Sequence, residues 1–454
     1  MTLPAATPDA DEFPLAGVRC FVLSSRLVPD LDGGFTVATL QRARLLAAGG
    51  AETTLLTLDP ASPAEHAAHR ETFVARGEAA SVTAFGNLFD DAVADPSWLR
   101  AAAAPGQATE GIEYRVIPDA GGRPLVSLPV IAGDPDWHLS TAAVVVHGAD
   151  GDRILAGFGA LYRAWLGTRV PADGRPTVIV CESRQLGELL ADAPPSGARL
   201  IHTIHTTHLG APYGPDAPVN TLWQRWLAVA DRFDAVLWPT AQQRADVEAR
   251  FGALPGYTVL SNAAPEPVRE PAPVAANRVV MLGRLAPGKR VDHAIRAWPR
   301  VVESVPDATL EIWGDGPLRD DLQRLIDAEG LAASVRLRGW SAAGAALFDG
   351  AALMVQSTAF EGQGLAALEA MSRGCPVVSY DVRYGPRDLL GAGAGVLVPD
   401  GDVDALADGV IALLGDPERR MRAARAALDR ASEDSPAAVA ARLADVVRSV
   451  VARP

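Results

Sequence analysis

The sequence predicts an α/β protein with two Rossmann-like, doubly wound domains facing a cleft, the first carrying an antiparallel β insertion. Three observations predict it. Apolar runs of strand length alternate with helical patterns at the start of the chain. The same alternation begins afresh at Arg278, after a stretch containing four prolines. Between about residues 80 and 158 it gives way to short strands joined by turns rich in Gly and Asp.

In chain order, residues 1–14 read as an acidic, disordered lead. Val18–Ser24 is expected to be a strand, followed by the loop Arg26–Gly34, a helix from Phe35 to about Ala48, and a strand Thr53–Leu58. This β-loop-α-β unit has no Gly-x-Gly-x-x-Gly in its loop, which disfavours a dinucleotide-dependent dehydrogenase. Tyr114–Ile117, Pro124–Val130, Ala142–His147 and Arg153–Gly157 read as the strands of the insertion, with hairpin turns near Asp119 and Asp150. Thr177–Glu182, Arg199–His205, Ala235–Pro239 and Thr258–Leu260 resume the parallel sheet. The first domain is therefore expected over residues 15–262 and a Pro-rich linker over 263–277. Strands at 279–282, 309–313, 335–337, 352–355, 376–380 and 395–398 define a second domain, 278–430. A helix over 431–454 is expected to return to the first domain.

A chain of 454 residues is long for one core, which suits this two-domain reading. Its formal net charge of −14 argues against a general nucleic-acid binder. Cys20, Cys181 and Cys375 lie in or beside apolar runs and read as core residues, not as a disulfide or metal set. No apolar run reaches membrane-spanning length, and the N-terminus has no signal-peptide pattern. A cytoplasmic enzyme is expected, with contact at the inner membrane face left open.

The candidate chemistry centres on residues 359–388. Glu361 and Glu369, with seven residues between them, flank a Gly-Gln-Gly turn at the start of a helix expected over Leu365–Ser372. A helix N-terminus offers free N–H groups and partial positive charge, which suit a phosphate. The carboxylates could take hydroxyls on either side, and phosphate between two polyols outlines a sugar nucleotide. Lys289 is the single lysine among 41 Lys and Arg. With Arg284 it lies on the loop after the second domain's first strand, at the edge where ligands of open α/β sheets bind. Arg can clamp a phosphate bidentately and Lys can act as a point charge. Gly33 and Gly34 would let the first-domain loop approach that phosphate closely.

These segments carry a family resemblance. EGQGLAALEAMSRGCPVVSYD and GRLAPGKRVDHAIRAW resemble the Glu-x7-Glu segment and the diphosphate loop of retaining GT-B glycosyltransferases, family 4. SYDVRYGPRDLL resembles the segment found in poly(glycerol-phosphate) α-glucosyltransferases and related teichoic acid or adhesin glycosyltransferases, which also place an antiparallel insertion in the first domain. Gln363 departs from the apolar residue usual in the family. Ser261-Asn262-Ala263 is similar to the family's SN(G/A) at the end of the first domain.

The resemblance implies transfer of a hexose or N-acetylhexosamine from a UDP-sugar to a hydroxyl acceptor, with retention and without a metal or other cofactor. It implies that Arg284, Lys289 and the backbone at Gly364 and Leu365 meet the diphosphate. Glu369 would hold the ribose and Glu361 the sugar. Gly314 would face the donor, and Arg338-Gly339 would lie along the base. In IHTIHTTHL it places His205 against the transferred sugar and His208 on the acceptor side. The spacing of His202, His205 and His208 fits neither one face of a strand nor one of a helix, which disfavours zinc. A packing or capping role is the alternative for His202.

Partners follow the same division. A nucleotide sugar and a hydroxyl compound (polymer, glycolipid, protein or polyol) are expected, nucleic acid is not, and the insertion's open edges predict a homo-oligomer. Two other readings stay open: a metal-dependent GT-A-type transferase using Asp150-Gly-Asp152, and a nucleotide-sugar-binding protein without turnover.

Overall fold

A computed structural model of the protein describes residues 13–453, except 32, 135, 275, 276 and 392. Residues 1–12 of the expected lead, Asp32 of the first loop and two linker residues thus lie outside the described residues.

The chain opens with β1 (Arg19–Leu23), α1 (Gly34–Ala48), β2 (Glu52–Thr57), α2 (Pro63–Ala75) and β3 (Phe85–Asn87). Two short helices follow, α3 (Leu88–Ala94) and α4 (Ser97–Ala102). The insertion then forms an antiparallel sheet from β4 (Ala104–Pro105), β5 (Glu113–Pro118), β6 (Pro124–Val130), β7 (Val144–Val146) and β8 (Arg153–Leu155), ordered 4-8-7-6-5. It is shorter than expected. Residues 85–87 pair parallel to β2 instead, and Asn87 starts α3 by accepting from the Phe89 N–H at 2.7 Å. Helix α2 was also absent from the sequence reading. Its signal was there: Ser62 and Glu65 form a capping box, and Pro63 occupies the first turn.

The first domain continues with α5 (Gly157–Arg169), β9 (Thr177–Cys181), α6 (Arg184–Asp192), β10 (Ala198–Thr203), α7 (Thr221–Leu227), β11 (Ala235–Trp238), α8 (Ala241–Phe251) and β12 (Tyr257–Val259). Its seven-stranded parallel sheet has the order 12-11-10-9-1-2-3. Side chains alternate across the pleat. Phe21 and Leu23 of β1 enter a core shared with the insertion, whereas Cys20 and Val22 face α1.

The second domain comprises β13 (Arg278–Leu282), α9 (Val291–Ser304), β14 (Thr309–Trp313), α10 (Arg319–Ala328), β15 (Val335–Gly339), β16 (Leu353–Gln356), α11 (Leu365–Ser372), β17 (Val377–Tyr380), α12 (Pro386–Leu390), β18 (Gly395–Val398), α13 (Val403–Leu414) and α14 (Pro417–Glu433). Its six-stranded parallel sheet has the order 15-14-13-16-17-18. Its central strands β13, β16 and β17 are largely buried apolar runs, whereas β15 at the sheet's edge alternates buried and exposed positions.

The final helix, α15 (Pro436–Val451), crosses back to the first domain. Its Val439, Leu443 and Val447 are fully buried in the core that contains α1. The crossover is pinned at Asp434, which is almost wholly buried. Its carboxylate accepts from Ser261 at 2.6 Å and from Arg442 at 2.8 Å, and its carbonyl accepts from the Ala264 N–H at 2.7 Å. Both passages between domains therefore run side by side. Among the described residues no helix is long and apolar enough to cross a membrane.

Candidate active site

The carboxyl ends of the two parallel sheets face one another across a cleft of about 780 Å³. Two helix N-termini open onto it. Helix α1 starts at Gly33–Gly34, and α11 starts at Gly364, whose φ of 101° demands a glycine. Neither helix has a side-chain cap or an acidic residue in its first turn, so their leading N–H groups are left for a ligand. The two termini nearly touch: a Cβ on Gly34 would lie 3.1 Å from Leu365.

Lys289 ends a 3₁₀ turn after β13. Three consecutive residues beyond β16 hold that turn: Ser357 Oγ donates to the Arg290 carbonyl at 2.7 Å, Thr358 Oγ1 to Gly288 at 3.1 Å, and the Ala359 N–H to Gly288 at 2.9 Å. Lys289 Nζ is consequently set against Glu361, donating to its Oε1, and Gln356 Nε2 donates to the same oxygen at 3.0 Å. Arg284 is exposed in the cleft and has no charge partner among the described residues. Gly314 is a close backbone approach, since a Cβ there would fall 2.0 Å from the Gly283 carbonyl oxygen. Glu369, half-buried on the cleft wall, lacks a side-chain partner among the described residues, and desolvation pushes its carboxyl up to about 7.

His205, just past β10, lines the cleft from the first domain. Its Nε2 meets Glu182 Oε2 at 2.5 Å, and its ring stands edge-on to Phe35 at 4.9 Å between centroids. Backbone contact across the cleft is equally tight. A Cβ on Gly362 would sit 2.2 Å from the His205 carbonyl oxygen.

The sequence profile described as "Glycosyl transferases group 1" matches residues 265–430, most of the linker and the second domain. The 2-deoxystreptamine N-acetyl-D-glucosaminyltransferase of Streptomyces fradiae is 31% identical over 310 residues, covering 60% of this chain and 72% of that protein. The chain belongs to the group 1 glycosyltransferases. The poly(glycerol-phosphate) alpha-glucosyltransferase of Bacillus subtilis is 31% identical over 207 residues, 44% of this chain and 31% of its own. Across three such curated relatives this chain spans between 25% and 49% of their length. The fold is shared with S. aureus TarM in a crystal structure with fondaparinux, alpha-GlcNAc-glycerol and UDP. There the TM-score is 0.79 at 16% identity, over 94% of this chain and 99% of that one.

Within this glycosyltransferase, the cleft gathers Gly33, Gly34, His205, Arg284, Lys289, Gly314, Glu361, Gly364, Leu365 and Glu369 from segments far apart in sequence. Two expected residues lie elsewhere. His208 is fully buried, stacked on Tyr384 of the second domain at 5.8 Å, and burial pushes its imidazole down to about 4. It packs the domain interface and has no surface for an acceptor. Arg338 is turned away from the cleft, ion-paired to Glu311 at 3.0 Å and lying over Trp313 at 5.3 Å. Alternation along β15 sends its side chain outward, and exposed Trp340 just beyond takes the place in the cleft. His202 packs fully buried between Trp226 and Phe233. The Asp150–Asp152 pair sits at the turn between β7 and β8, where Asp150 pairs with Arg100 and Asp152 lies 3.0 Å from His147.

Three functional features escaped the sequence reading. Glu182 follows the apolar run of β9 directly, a strand-end position where ligand-facing groups of such sheets concentrate. Arg42 is hidden on the core face of α1, where a helical pattern gives no reason for a charge. Arg76 reaches across the cleft mouth to Trp340 at 5.2 Å while holding Asp30 through two hydrogen bonds of 2.8 Å.

The Gly362 contact generates a test. Gly362→Ala places a methyl against a fixed carbonyl, overpacking that costs about 1–3 kcal/mol. Opening of the domains relieves it, so small-angle scattering should give a larger radius of gyration while the melting temperature holds. A variant with the radius of the parent would contradict the close approach.

Proposed function

We propose that this chain transfers a hexose or N-acetylhexosamine from a UDP-sugar to a hydroxyl acceptor with retention of anomeric configuration, as in family 4. One observation carries the reading: two uncapped helix N-termini, Arg284 and Lys289 converge on one cleft, with Glu361 and Glu369 on either side of that positive region. A diphosphate fits the positive centre, and the two carboxylates suit the hydroxyls of sugar and ribose. Relatives named as alpha-glucosyl and alpha-N-acetylglucosaminyl transferases support retention, because UDP-hexose donors of this kind are themselves α-linked.

In this reading Arg284 and Lys289 stabilise charge that grows on the departing diphosphate, together with the N–H groups at Gly364 and Leu365. Those fixed dipoles and cations do the work that a divalent metal does in other transferases, so no metal or cofactor is needed. Lys289 exchanges part of its contact with Glu361 for phosphate when donor enters, which frees a Glu361 oxygen for the sugar. His205 faces the transferred sugar, and Gly314 and Trp340 lie on the donor's base side. A poly(glycerol-phosphate) or other cell-envelope polymer is the acceptor class the named relatives support, which would place action at the cytoplasmic membrane face. Release of UDP only when acceptor is present separates this reading from a binding protein without turnover. A requirement for added manganese would overturn the metal-free part of this reading.

Glu369 gives a pH signature. Ribose hydroxyls donate to the ionised carboxylate, so bound nucleotide lowers a pKa that stands at about 7 in the free protein. Binding therefore strengthens as pH rises toward about 7 and levels off above it, by up to about tenfold per pH unit below that point. Calorimetry with UDP across this range checks the slope. Glu369→Gln, titrated in parallel, should abolish the part due to this carboxyl, and an unchanged slope would remove Glu369 from the ribose site.

Lys289→Arg keeps the charge but replaces a compact ammonium with a wider planar group beside Arg284. Losing one preorganised cation raises the barrier by about 3 kcal/mol, roughly a hundredfold in kcat. Initial rates close to those of the parent would make this lysine incidental. For assembly, β5 leaves an unpaired edge on the insertion sheet, with Val116 half exposed on it. We propose a homo-oligomer through that sheet, and light scattering that finds a monomer at micromolar concentration would overturn it.

A further inference from the structure

Behind His205 lies a buried ion pair that the transfer reaction as described does not use. Glu182 follows the last residue of β9, and its side chain is 0% exposed; Arg42, from the core face of α1, is 3% exposed and lies 2.7 Å from Glu182 Oε1. The second carboxylate oxygen takes His205 Nε2 at 2.5 Å, and Thr203 Oγ1 lies 3.5 Å from the first. Desolvating two charges is costly, and apolar side chains of similar volume would stabilise such a site as well or better. A pair kept at this cost, directly behind a cleft residue, points to a task beyond stability.

We propose that Glu182, with its charge balanced by Arg42, is the positioning residue that fixes the ring and the proton of His205. His205 then presents an unprotonated Nδ1 to a hydroxyl of the sugar or its acceptor. The inference rests on the reading that places His205 beside the transferred sugar. Burial alone would raise the Glu182 carboxyl, yet Arg42 and His205 hold it below its usual range, so it is ionised. An ionised carboxylate only accepts hydrogen bonds, so the shared proton belongs to Nε2. Because Arg42 already neutralises the carboxylate, no imidazolium is required to balance it. A neutral imidazole protonated on Nε2 has its lone pair on Nδ1. Phe35 packs edge-on against that ring, and the His205 backbone is held close to Gly362. This is the logic by which a carboxylate behind a histidine sets its tautomer in other sites.

The same arginine carries the connection onward. Arg42 lies 3.5 Å from Asn262 Oδ1, and Asn262 donates to Gln363 Oε1 through its backbone N at 2.8 Å and its Nδ2 at 2.9 Å. The glutamine that departs from the family pattern thus joins the turn bearing Glu361 to the support of His205.

The test uses nitrogen-15 spectra of the eight histidines in the full chain, with His205 assigned by its loss in His205→Gln. At pH 7.5 the intact protein should show His205 with Nε2 protonated and Nδ1 bare. A protonated Nδ1 overturns the proposal without any variant being needed. The double variant Arg42→Met, Glu182→Gln removes both charges together, so no lone charge is left buried. It should show averaged tautomers, and kcat should fall about tenfold to a hundredfold while KM for donor and Kd for UDP stay within about threefold. An unchanged tautomer with unchanged kcat overturns the proposal, as does a fall in kcat matched by lost UDP affinity, which would mark a purely structural pair. If the parent protein fails to bind UDP, the donor reading falls on its own, and the ring spectra still decide the role of Glu182.

Discussion

Both halves of the cleft bear on the turn from Glu361 to Gly364. Its second residue lies so close to the His205 carbonyl that any side chain there would collide, and its third, Gln363, is buried against Asn262. Its fourth, Gly364, takes the left-handed conformation that starts α11 with bare N–H groups. One turn thereby sets the separation of the domains, the direction of a helix dipole and the place of a carboxylate. The neighbouring contacts follow from it. Arg383 reaches Asp246 of α8 at 2.7 Å, and Tyr384 is buried against His208. Asp434 and the linker then hold the two crossovers side by side at the far edge.

The electrostatics of the cleft run against those of the molecule. A chain of net charge −14 repels an anion at long range, so any attraction for the proposed donor has to be local. It arises from two helix ends and two cations within one pocket, where partial exclusion of water strengthens each term. The two carboxylates on its walls do not cancel this. Glu361 and Lys289 offset one another in the free site, which leaves Arg284 and the two helix ends as its uncompensated positive groups, and Glu369 is pushed by burial toward its neutral form. In the free site Glu369 therefore offsets less of this positive charge than a fully ionised carboxylate would, and hydroxyl donors of a bound ligand favour its ionised form.

Much of this was legible in the residues. Apolar strand runs separated by helical periods are a local signal, and a sheet buried on both faces leaves little else for them to be. Helix starts such as Gly364-Leu365 and the lone Lys289 were legible for the same reason: the turn and the strand that position them are neighbours in sequence. The strand-end rule then placed Arg284 and Lys289 at the second sheet's edge, the family resemblance added His205, and the cleft contains all three. What misled was direction. His208 lies three residues beyond His205 at the same strand end, yet the incoming second domain covers it. Arg338 stands at the end of β15, yet the pleat turns it outward to Glu311.

By itself, then, the sequence determined two parallel-sheet domains, a hairpin insertion between strands of the first, and a phosphate-suited loop and helix start in the second. These depend on periodicity and on turns only a few residues long. The tertiary structure decided which strand-end residues see the cleft, that α15 seals the first domain, and that Glu182 and Arg42 stand behind His205. Glu182 and Arg42 are 140 positions apart, and no pattern within either segment calls for the other. Only the packing of α1 across the end of β9 brings the two charges together, and only burial makes each one need its partner.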